Sequence, residues 1–560
     1  SGIPSIIKVI ESFKNNLIPA SLRVTEPVSS MNNDYDGNQI TTKKEQWKSK
    51  DKRYAAINAF GFGGTNAHMI LEDNVKVDAR AINQKIKSDF VHVLGMDAHF
   101  GKCSDLQQFN ALVCGEGTNE IPLPPHRWKG MEKNRALLQE LNLEHLSEAY
   151  GGFIEEFEMD LKKFKILPNE ITKIEKQHTL MLKVADNALR NAGFDHVHKP
   201  SKKVAVIIAM DTDPAGHQYF GRWHLEWQLN QLMESAALKV HEEKKASLLS
   251  ELKSWMYNLD KVELSVSMHT SFIGNIMASR IASLWNFTGP VLTLTAGEAG
   301  VAKAIKLATQ LMDEGEADAA VVGAVDFAAS LENIVQKGSD YFDGFMPGEG
   351  AGAIVLEPGG KSDKPFMKMK VLDTSSLASD YSFVEMSGNQ STAKGKSELH
   401  TLFGKDKPVY PVVNVKSQIG HCGNAAGMAS ILKSIACLTN GVFEVPTENG
   451  TPKRKTPDMA RALVSLYDGK EHYMLELESH TKKSHKIAPR EVEGVHERLV
   501  LAHGATRDEL LLNLEWIVNQ SKESTVQQLS QQCYESFLKR SAHELIASLI
   551  VQDDSSLARE

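Results

Sequence analysis

Residues 293–308 read Thr-Leu-Thr-Ala-Gly-Glu-Ala-Gly-Val-Ala-Lys-Ala-Ile-Lys-Leu-Ala, a stretch that joins the end of a strand to a helix. The apolar run 291–294 at its start suits a buried strand. The middle of the stretch is small, polar and glycine-bearing, as a tight turn requires. From about Ala302 onward, strong helix formers carry apolar residues at helical spacing. The sequence therefore predicts a strand, a sharp turn and a buried helix, with Glu298 where the turn enters the helix.

A strand-to-helix turn of this kind directs one side chain and the free N–H groups of the helix into the same cavity, which suits a nucleophile. Glu298 is not a nucleophile of the usual kind, so the turn marks a candidate site with an unusual central residue. The glycine-rich stretch 344–352 is a weaker signal. It lacks the Lys-Ser/Thr pair of a P-loop and therefore predicts no nucleotide site.

Length and composition exclude several classes of protein. At 560 residues the chain is too long for one ordinary domain, and its 42% apolar and 24% charged content is that of a soluble globular protein. A formal charge of −8 without a dense Lys/Arg stripe predicts no nucleic-acid partner. No apolar run is long enough to span a membrane, and no signal peptide is recognisable. The first residue is Ser, which leaves open that the chain is a fragment.

The cysteines indicate the compartment. Five are scattered without Cys-x-x-Cys spacing, which fits free thiols in a reducing cytosol better than a disulfide frame or a zinc site. We therefore expect a cytoplasmic protein without a bound metal or cofactor of its own.

Residues 211–262, which include Trp223, Trp227 and Trp255, are predicted to be an insertion whose aromatic residues serve packing rather than a partner surface.

The chain contains an internal repeat. Residues 1–10 match residues 426–435 without a gap, with identical Gly, Ser, Ile, Lys and Ile. In both copies a short polar run and an extended apolar segment follow. Each copy then ends in a predicted strand pair around a histidine, at 57–73 and 463–479. Two copies of one fold are therefore expected, and the first lacks its front part.

The end of the first copy carries the most specific motif, Asn-Ala-Phe-Gly-Phe-Gly-Gly-Thr-Asn-Ala-His-Met-Ile-Leu-Glu at 58–72. Its glycines allow backbone angles closed to other residues, so the turn can approach a ligand closely. A plain glycine hairpin is the alternative. The whole string resembles the closing loop of ketosynthases, the thiolase-fold condensing enzymes of fatty-acid and polyketide synthesis. In that family the equivalents of Phe60 and Phe62 border the active site.

A second, longer resemblance to the same family begins near residue 90 and ends near 480. It implies four segments: the end of a ketosynthase domain at 1–75, a linker at 76–89, a ketosynthase-like chain-length-factor domain at 90–480, and a linker with a helical inter-domain segment at 481–560. The implied fold class is α/β and thiolase-like, with two stacked βαβ-type halves in five layers, α-β-α-β-α.

The tail carries its own local signals. Thr506-Arg-Asp-Glu509 and Ser541-Ala-His-Glu544 both have the pattern of a capping box, and leucine-rich helical spacing follows each. We therefore expect two helix starts in this segment.

The resemblance also places the catalytic positions. The condensing cysteine of ketosynthases falls on Glu298, and the first catalytic histidine falls on Ser387 within Val-Glu-Met-Ser-Gly-Asn. The string Val-Lys-Ser-Gln-Ile-Gly-His at 415–421 keeps Lys416 and the second histidine, His421. Condensation needs a thiolate to hold the acyl chain and histidine-type donors to stabilise the enolate and oxyanion. The resemblance therefore implies a ketosynthase fold that lacks the nucleophile of the family.

Retained fold positions with altered functional positions are typical of a non-condensing partner. A ketosynthase followed by a degenerate copy resembles the ketosynthase–chain-length-factor pair of polyunsaturated fatty acid synthases, although type I polyketide synthases share most of these strings. The implied partners are an active ketosynthase domain, in a pseudo-dimer, and an acyl carrier protein that delivers acyl groups on phosphopantetheine. Condensing activity of this chain alone is expected to be absent.

Two other functions stay open. A glutamate at the cysteine position also resembles loading ketosynthases that decarboxylate malonyl carriers. Charge disfavours this, because a helix N-terminus stabilises ionised Glu298 and the anion repels a malonyl carboxylate. The second alternative is a purely structural interaction module, in which the string from Lys416 to His421 is inherited without a function.

Overall fold

The structure is a computed structural model. The chain divides into two compact units, Ser1–Ile487 and Ala488–Glu560, which are described separately. Most of the predicted linkers, Trp223 and Trp255 lie outside the described residues. The structure describes residues 2–26, 39–49, 51–61, 66–73, 90–115, 119–125, 127–128, 130–140, 143, 150–171, 174–194, 202–211, 214, 227, 230–231, 244, 246–251, 254, 273–360, 366–372, 380–404, 408–445, 453–455, 461–467, 469–479, 498–521, 526–537 and 545–551.

The N-terminal segment forms a helix and a hairpin, as the repeat predicts. Its elements are α1 (Gly2–Asn15), β1 (Leu17–Ile18), β2 (Glu45–Gln46), β3 (Tyr54–Phe60) and β4 (Asn66–Glu72). Strands β3 and β4 pair antiparallel, and a Cβ atom on Gly2 would lie 3.9 Å from the Cβ of Ala59, so α1 lies on β3. The turn that holds Phe62 and its glycines is outside the described residues.

The body that follows is built around one ten-stranded sheet in the order β14-β13-β17-β18-β12-β5-β11-β10-β8-β9. Its strands and smaller pairs are β5 (Val91–Phe100), β6 (Ile121–Pro122), β7 (Tyr150–Gly151), β8 (Val204–Ala209), β9 (Val291–Leu294), β10 (Ala319–Asp326), β11 (Gly350–Pro358), β12 (Met367–Leu372), β13 (Phe383–Glu385), β14 (Val412–Val413), β15 (Phe443–Val445), β16 (Lys453–Lys455), β17 (Arg461–Tyr467) and β18 (His472–Glu478).

Helices alternate with these strands, which is the pattern of an α/β fold. They are α2 (Leu106–Val113), α3 (Arg135–Glu140), α4 (Lys176–Asn191), α5 (Gly274–Trp285), α6 (Gly300–Asp313), α7 (Leu331–Lys337), α8 (Ala393–Phe403), α9 (Lys416–Ile419) and α10 (Ala426–Asn440). The predicted strand, turn and helix around Glu298 are therefore β9, the turn 295–299 and α6.

The sheet consists of two halves that join where β12 pairs antiparallel with β5. Helices α6 and α10 pack in one core with strands of both halves, so they lie between them. Helices α4 and α5 cover the outer face of the half that contains β8 and β10. Helix α8 covers the outer face of the half that contains β13 and β17. The predicted α-β-α-β-α layering is thus observed, with the two β layers linked edge to edge.

Small residues bring α10 close to the Glu298 turn. A Cβ atom on Gly427 would lie 2.6 Å from the carbonyl oxygen of Glu298, a distance that real side chains do not adopt. The helix is buried along its length, and the small residues Ala425 and Ala429 belong to the core between the two halves. Glycine and alanine at these positions therefore let the second half of the fold reach the turn of the first.

The C-terminal unit is a separate α/β structure. It comprises β19 (Arg498–Gly504), α11 (Arg507–Gln520), α12 (Val526–Phe537) and β20 (Leu545–Val551), with β19 and β20 paired antiparallel. Thr506 caps α11 as predicted, accepting a hydrogen bond from Glu509 N–H at 3.3 Å. The helix predicted after Ser541 is wrong, because the residues from Leu545 to Val551 form a strand. The tail is therefore not wholly helical.

Candidate functional site

The turn before α6 places Glu298 inside the protein. Thr295 Oγ1 donates to the carbonyl of Met210 at 2.8 Å, which ties the end of β9 to the end of β8. Gly297 then adopts φ +56°, a left-handed conformation that glycine reaches at little cost. Residues Gly297–Ala299 form a 3₁₀ turn that leads into α6, and Glu298 is only 3% exposed.

Three donors surround the carboxylate of Glu298. Lys416 Nζ lies 2.6 Å from Oε2, while His421 Nε2 and Lys394 Nζ lie 2.9 and 3.3 Å from Oε1. Lys416 comes from α9, His421 from the loop after it, and Lys394 from the first turn of α8. These four residues are referred to below as the Glu298 cluster. The structure therefore brings together three of the four predicted site residues.

The hydrogen bonds of His421 determine where its proton resides. The N–H of Gly423 donates to His421 Nδ1 at 3.2 Å, so Nδ1 is an acceptor and Nε2 carries the proton that is donated to Glu298. Burial, reinforced by Lys416, lowers the pKa of His421 to about 4, which keeps the ring neutral at pH 7. The rings of Tyr341 and Phe342 lie 4.7 and 5.6 Å from the imidazole and hold its plane.

The charges of the cluster favour an ionised Glu298. Burial alone would raise the pKa of this carboxyl, but Lys416, His421 and Lys394 together hold that pKa well below its usual range. Burial lowers the pKa of Lys416, whereas the 2.6 Å contact with the carboxylate favours the charged ammonium. The lowered pKa of Glu298 agrees with the close contact of opposite charges, so we assign a buried ion pair.

Ser387 has a different environment from the cluster. Its hydroxyl donates to the carbonyl of Ser465 at 2.8 Å and accepts from the N–H of Tyr467 at 3.2 Å, so it ties the end of β13 to β17. Its own N–H donates to Glu398 at 3.1 Å. None of these hydrogen bonds reaches Glu298. The structure thus places the serine at a backbone junction, and any part in catalysis stays a prediction.

Sequence reasoning missed Lys394 and Asp326. Asp326 Oδ2 accepts from the N–H and the side-chain amide of Asn424, each at 2.9 Å, and so fixes the loop that carries His421. An acidic residue at the end of a strand is a detectable signal for such a role. Lys394 had no signal, because a lysine in the first turn of a helix is ordinarily solvent-exposed.

The described residues contain no thiol poised for nucleophilic attack. Cys422, next to His421, is fully buried, and burial raises the pKa of its thiol well above the usual value. Its Sγ lies 3.6 Å from the carbonyl oxygen of Gly420.

Within the described ranges no group of three or more His, Cys, Asp or Glu residues could hold a metal. None of the helices in those ranges is long and apolar enough to cross a membrane.

Comparison with protein families agrees with this geometry. Residues 88–339 match the N-terminal domain and residues 348–450 the C-terminal domain of β-ketoacyl synthase, together more than half of the chain. Residues 35–100 match the ketoacyl-synthetase C-terminal extension. The fold and these matches define a thiolase-like condensing-enzyme architecture. The chain belongs to the β-ketoacyl synthase family.

Similar proteins are large synthases. A polyunsaturated fatty acid synthase polypeptide of Thraustochytrium sp. is 24% identical over 98% of this chain and 29% of its own length. The non-reducing polyketide synthase pkdA of Emericella nidulans is 23% identical over 66% of this chain and 15% of its own length. The chain thus spans less than a third of either relative.

A solved structure matches most of the chain. The PfaC keto synthase–chain length factor aligns with 87% of this chain and 53% of its own, with a TM-score of 0.68 and 28% identity. A ketosynthase from module 6 of the bacillaene synthase of Bacillus subtilis aligns with a TM-score of 0.52 at 17% identity, which shows the fold alone.

Proposed function

We propose that residues 90–480 are a non-condensing, chain-length-factor part of a fatty-acid or polyketide synthase. The observation that carries this is the ion pair of Glu298 with Lys416 at the position where the family has its nucleophile. A carboxylate held by Lys416, Lys394 and His421 offers neither a thiolate nor free donors for an enolate. The body therefore serves condensation by pairing with another domain.

The partner follows from the same proposal. An active ketosynthase pairs with this body, and the body shapes the channel that receives the acyl chain. Acyl groups arrive on the phosphopantetheine of an acyl carrier protein. The similarity to a keto synthase–chain length factor and to part of a polyunsaturated fatty acid synthase supports this partner and this pathway.

The cluster disfavours the alternative of a malonyl decarboxylase. A malonyl carboxylate approaching Glu298 meets an anion whose pKa is held well below its usual range. The donors that could stabilise the resulting enolate, Lys416 and His421, already bind Glu298. Ser387 replaces a histidine donor and hydrogen-bonds to the backbone of β17 instead.

Reconstitution tests the proposal. Purified 1–560 is incubated with acyl and malonyl carrier proteins, with and without an active ketosynthase from the same synthase, while β-ketoacyl product and carbon dioxide are measured. We expect neither product from the chain alone. With the ketosynthase, Glu298→Ala changes product length or the extent of pairing but leaves condensation in place. Glu156→Ala, which removes an exposed carboxylate, is the matched control and leaves both unchanged.

Two results contradict the proposal. β-Ketoacyl product from the chain alone would show that it condenses without a partner. Carbon dioxide release by the chain alone that Glu298→Ala abolishes would establish the decarboxylase instead.

A further inference from the structure

A buried carboxyl lies one helical turn beyond Lys394 on α8. Glu398 is fully buried, and its Oε1 and Oε2 accept hydrogen bonds from the N–H groups of Ser387 and Gly388 at 3.1 and 2.7 Å. A backbone N–H can only donate a hydrogen bond. Of the three groups that hydrogen-bond to this carboxyl among the described residues, only the hydroxyl of Ser465, which contacts Oε1, can also accept. A proton on Glu398 is therefore directed at Ser465.

The Ser465 hydroxyl also connects this carboxyl to a histidine. Its Oγ lies 2.9 Å from Nε2 of His472, the first residue of β18. A hydroxyl has one proton, so it can donate to Glu398 or to His472 but not to both. When Glu398 is ionised, Ser465 donates to the carboxylate and His472 donates from Nε2. When Glu398 carries a proton, it donates to Ser465, which donates to Nε2, and the ring proton lies on Nδ1.

His472 is the member of this hydrogen-bonded chain that lies nearest the surface. It is half-buried and follows the exposed residues Lys470 and Glu471, whereas Ser465 and Glu398 are fully buried. Burial lowers the pKa of His472, so the ring is neutral at pH 7 and carries one proton. Its Nδ1 has no hydrogen-bond partner in the part of the chain that the structure describes. Either ring nitrogen can therefore carry the proton without breaking another contact.

The charged groups around Glu398 link it to the Glu298 cluster. They come from three elements: Lys394 from α8 itself, Lys416 from α9, and Glu298 from the turn before α6. The negative charge of Glu398 favours the ammonium forms of both lysines, and both lysines bind Glu298. Asp343 adds a further negative charge that acts on Lys394. A proton on Glu398 removes one negative charge from this set, which favours loss of the ammonium proton from the lysines.

We propose that Glu398, Ser465 and His472 form a proton switch beside the Glu298 cluster. A proton binds to Nδ1 of His472, the Nε2 proton passes to Ser465 Oγ, and the original hydroxyl proton passes to Glu398. The ring and the hydroxyl each gain one proton and lose one, so the net change is one proton taken up by the carboxyl. Burial raises the pKa of Glu398 to about 7, so both states are populated near neutral pH.

Histidine NMR tests the switch. Purified 1–560 is labelled with ¹⁵N-histidine, the His472 signals are assigned by their loss in His472→Asn, and the tautomer is read from the two ring-nitrogen shifts. We expect the ring proton on Nε2 at pH 8 and on Nδ1 at pH 6, with a midpoint near pH 7. His503, whose Nε2 lies 2.9 Å from Ser536 Oγ in the C-terminal unit, is the internal control. Its signals should be the same in wild type and in every variant.

Two variants identify the groups that move the proton. Glu398→Gln has no carboxyl to titrate, and Ser465→Ala lacks the hydroxyl that connects the carboxyl to the ring. In both variants we expect the tautomer of His472 to be the same at pH 6 and pH 8. The wild-type titration decides the proposal even where a variant does not fold, because it needs only the assigned signals of His472.

Lysine acetylation measures the effect of the switch on the Glu298 cluster. Only the neutral amine of a lysine reacts with an acetylating reagent. Glu398→Gln removes the charge that favours the ammonium form of Lys394, so at pH 8 we expect Lys394 to react roughly 2-fold or more faster than in wild type. Lys396, exposed on the same helix, is the control and should react equally in both proteins.

Three results would overturn the switch. In the first, His472 keeps its proton on Nε2 throughout pH 6 to 8. In the second, its ring becomes doubly protonated, so that the histidine and not the carboxyl takes up the proton. In the third, the tautomer still changes with pH in Glu398→Gln. An unchanged rate for Lys394 would show that the switch does not act on the cluster. None of these results touches the proposed function, which is decided by product formation with and without a ketosynthase.

Discussion

The carboxylate of Glu298 is buried with two lysines and a neutral histidine, so its stability depends on those partners. Removing one member of a buried ion pair is destabilising because the other charge loses its compensation. We expect Lys416→Met to lower the free energy of unfolding by about 3–5 kcal/mol, measured by urea denaturation at pH 7. Lys394→Met should lower it less, because that side chain is 21% exposed and water reaches it.

A double variant separates lost charge pairing from lost packing. Glu298→Met with Lys416→Met removes both charges and should recover most of the stability lost in Lys416→Met alone. Equal losses for Lys416→Met and Lys394→Met would contradict the assignment of Lys416 as the principal counter-charge.

Glu398 gives the site a measurable pH dependence. Burial raises the pKa of this carboxyl to about 7, against hydrogen bonds from Ser465, Gly388 and Ser387 that lower it. The folded protein therefore binds more protons than the unfolded chain between about pH 4.5 and 7, so this group destabilises the fold as pH rises through that window. His421, whose pKa is lowered to about 4, acts oppositely and stabilises the fold as pH rises from 4 to 6.5.

Glu398→Gln isolates the carboxyl contribution, because glutamine does not titrate. Relative to this variant, the wild-type free energy of unfolding should fall by up to about 3 kcal/mol between pH 4.5 and 8. Urea denaturation at several pH values measures the difference. A difference that is constant with pH would show that Glu398 does not titrate in this range.

Part of the Glu298 cluster could be predicted from the sequence, and the contacts that could not be predicted have a physical reason. Lys416 and His421 fall within one short string, and their register with the Glu298 turn follows from the family pattern. Lys394 reaches Glu298 only because α8 folds over the second half-sheet, a distant contact that no local pattern encodes. That Ser387 stands at the position of the first catalytic histidine stays a prediction, and the direction of its side chain depends on its hydrogen bonds to β17.

At the scale of elements, the approach of α10 to the turn before α6 depends on one glycine. Gly427→Ala places a Cβ atom 2.6 Å from the carbonyl oxygen of Glu298, so the helix must shift. We expect the free energy of unfolding to fall by about 1–3 kcal/mol, measured by thermal or urea denaturation. Gly274, in the first turn of α5, has only Thr293 Oγ1 at 3.7 Å, so Gly274→Ala is the matched control.

Helix propensity determines whether the control substitution Gly274→Ala should raise or lower the free energy of unfolding. Alanine is favoured over glycine in a helix by roughly 1 kcal/mol, so Gly274→Ala should leave stability unchanged or raise it slightly. A Gly427→Ala protein as stable as Gly274→Ala would show that α10 does not contact the turn closely.

The last strand shows why one element was mispredicted. Leu-Ile-Ala-Ser-Leu-Ile-Val at 545–551 is an apolar run that is compatible with a helix or a strand, and a capping-box pattern precedes it. Its residues pair with β19, from Arg498↔Val551 to Gly504↔Leu545. Pairing across more than forty residues, rather than the local pattern, decides the outcome. By contrast, α11 follows its Thr506 cap as predicted.

At the scale of the whole molecule, the repeat was the most informative sequence feature. It predicted two copies of one fold, and both copies contain a helix followed by an antiparallel hairpin with seven residues in each strand. The joining of the two half-sheets through β5 and β12 was not foreseen, because edge pairing depends on how the layers stack. Layer order could be inferred from the family pattern, whereas the edge contact required the structure.

The division into two units predicts independent stability. The C-terminal unit has its own core, in which Leu529 and Cys533 of α12 pack with Val500 of β19 and Ile517 of α11. Leu529→Ala removes a fully buried side chain, so we expect a loss of about 2–5 kcal/mol in that unit. Hydrogen exchange resolved by peptide should show faster exchange in β19, α11 and α12, while β10 in the other unit is unchanged.

Leu512→Ala, at a position 65% exposed on α11, is the control and should change exchange little. Faster exchange in β10 of the Leu529→Ala protein would mean that the two units unfold together.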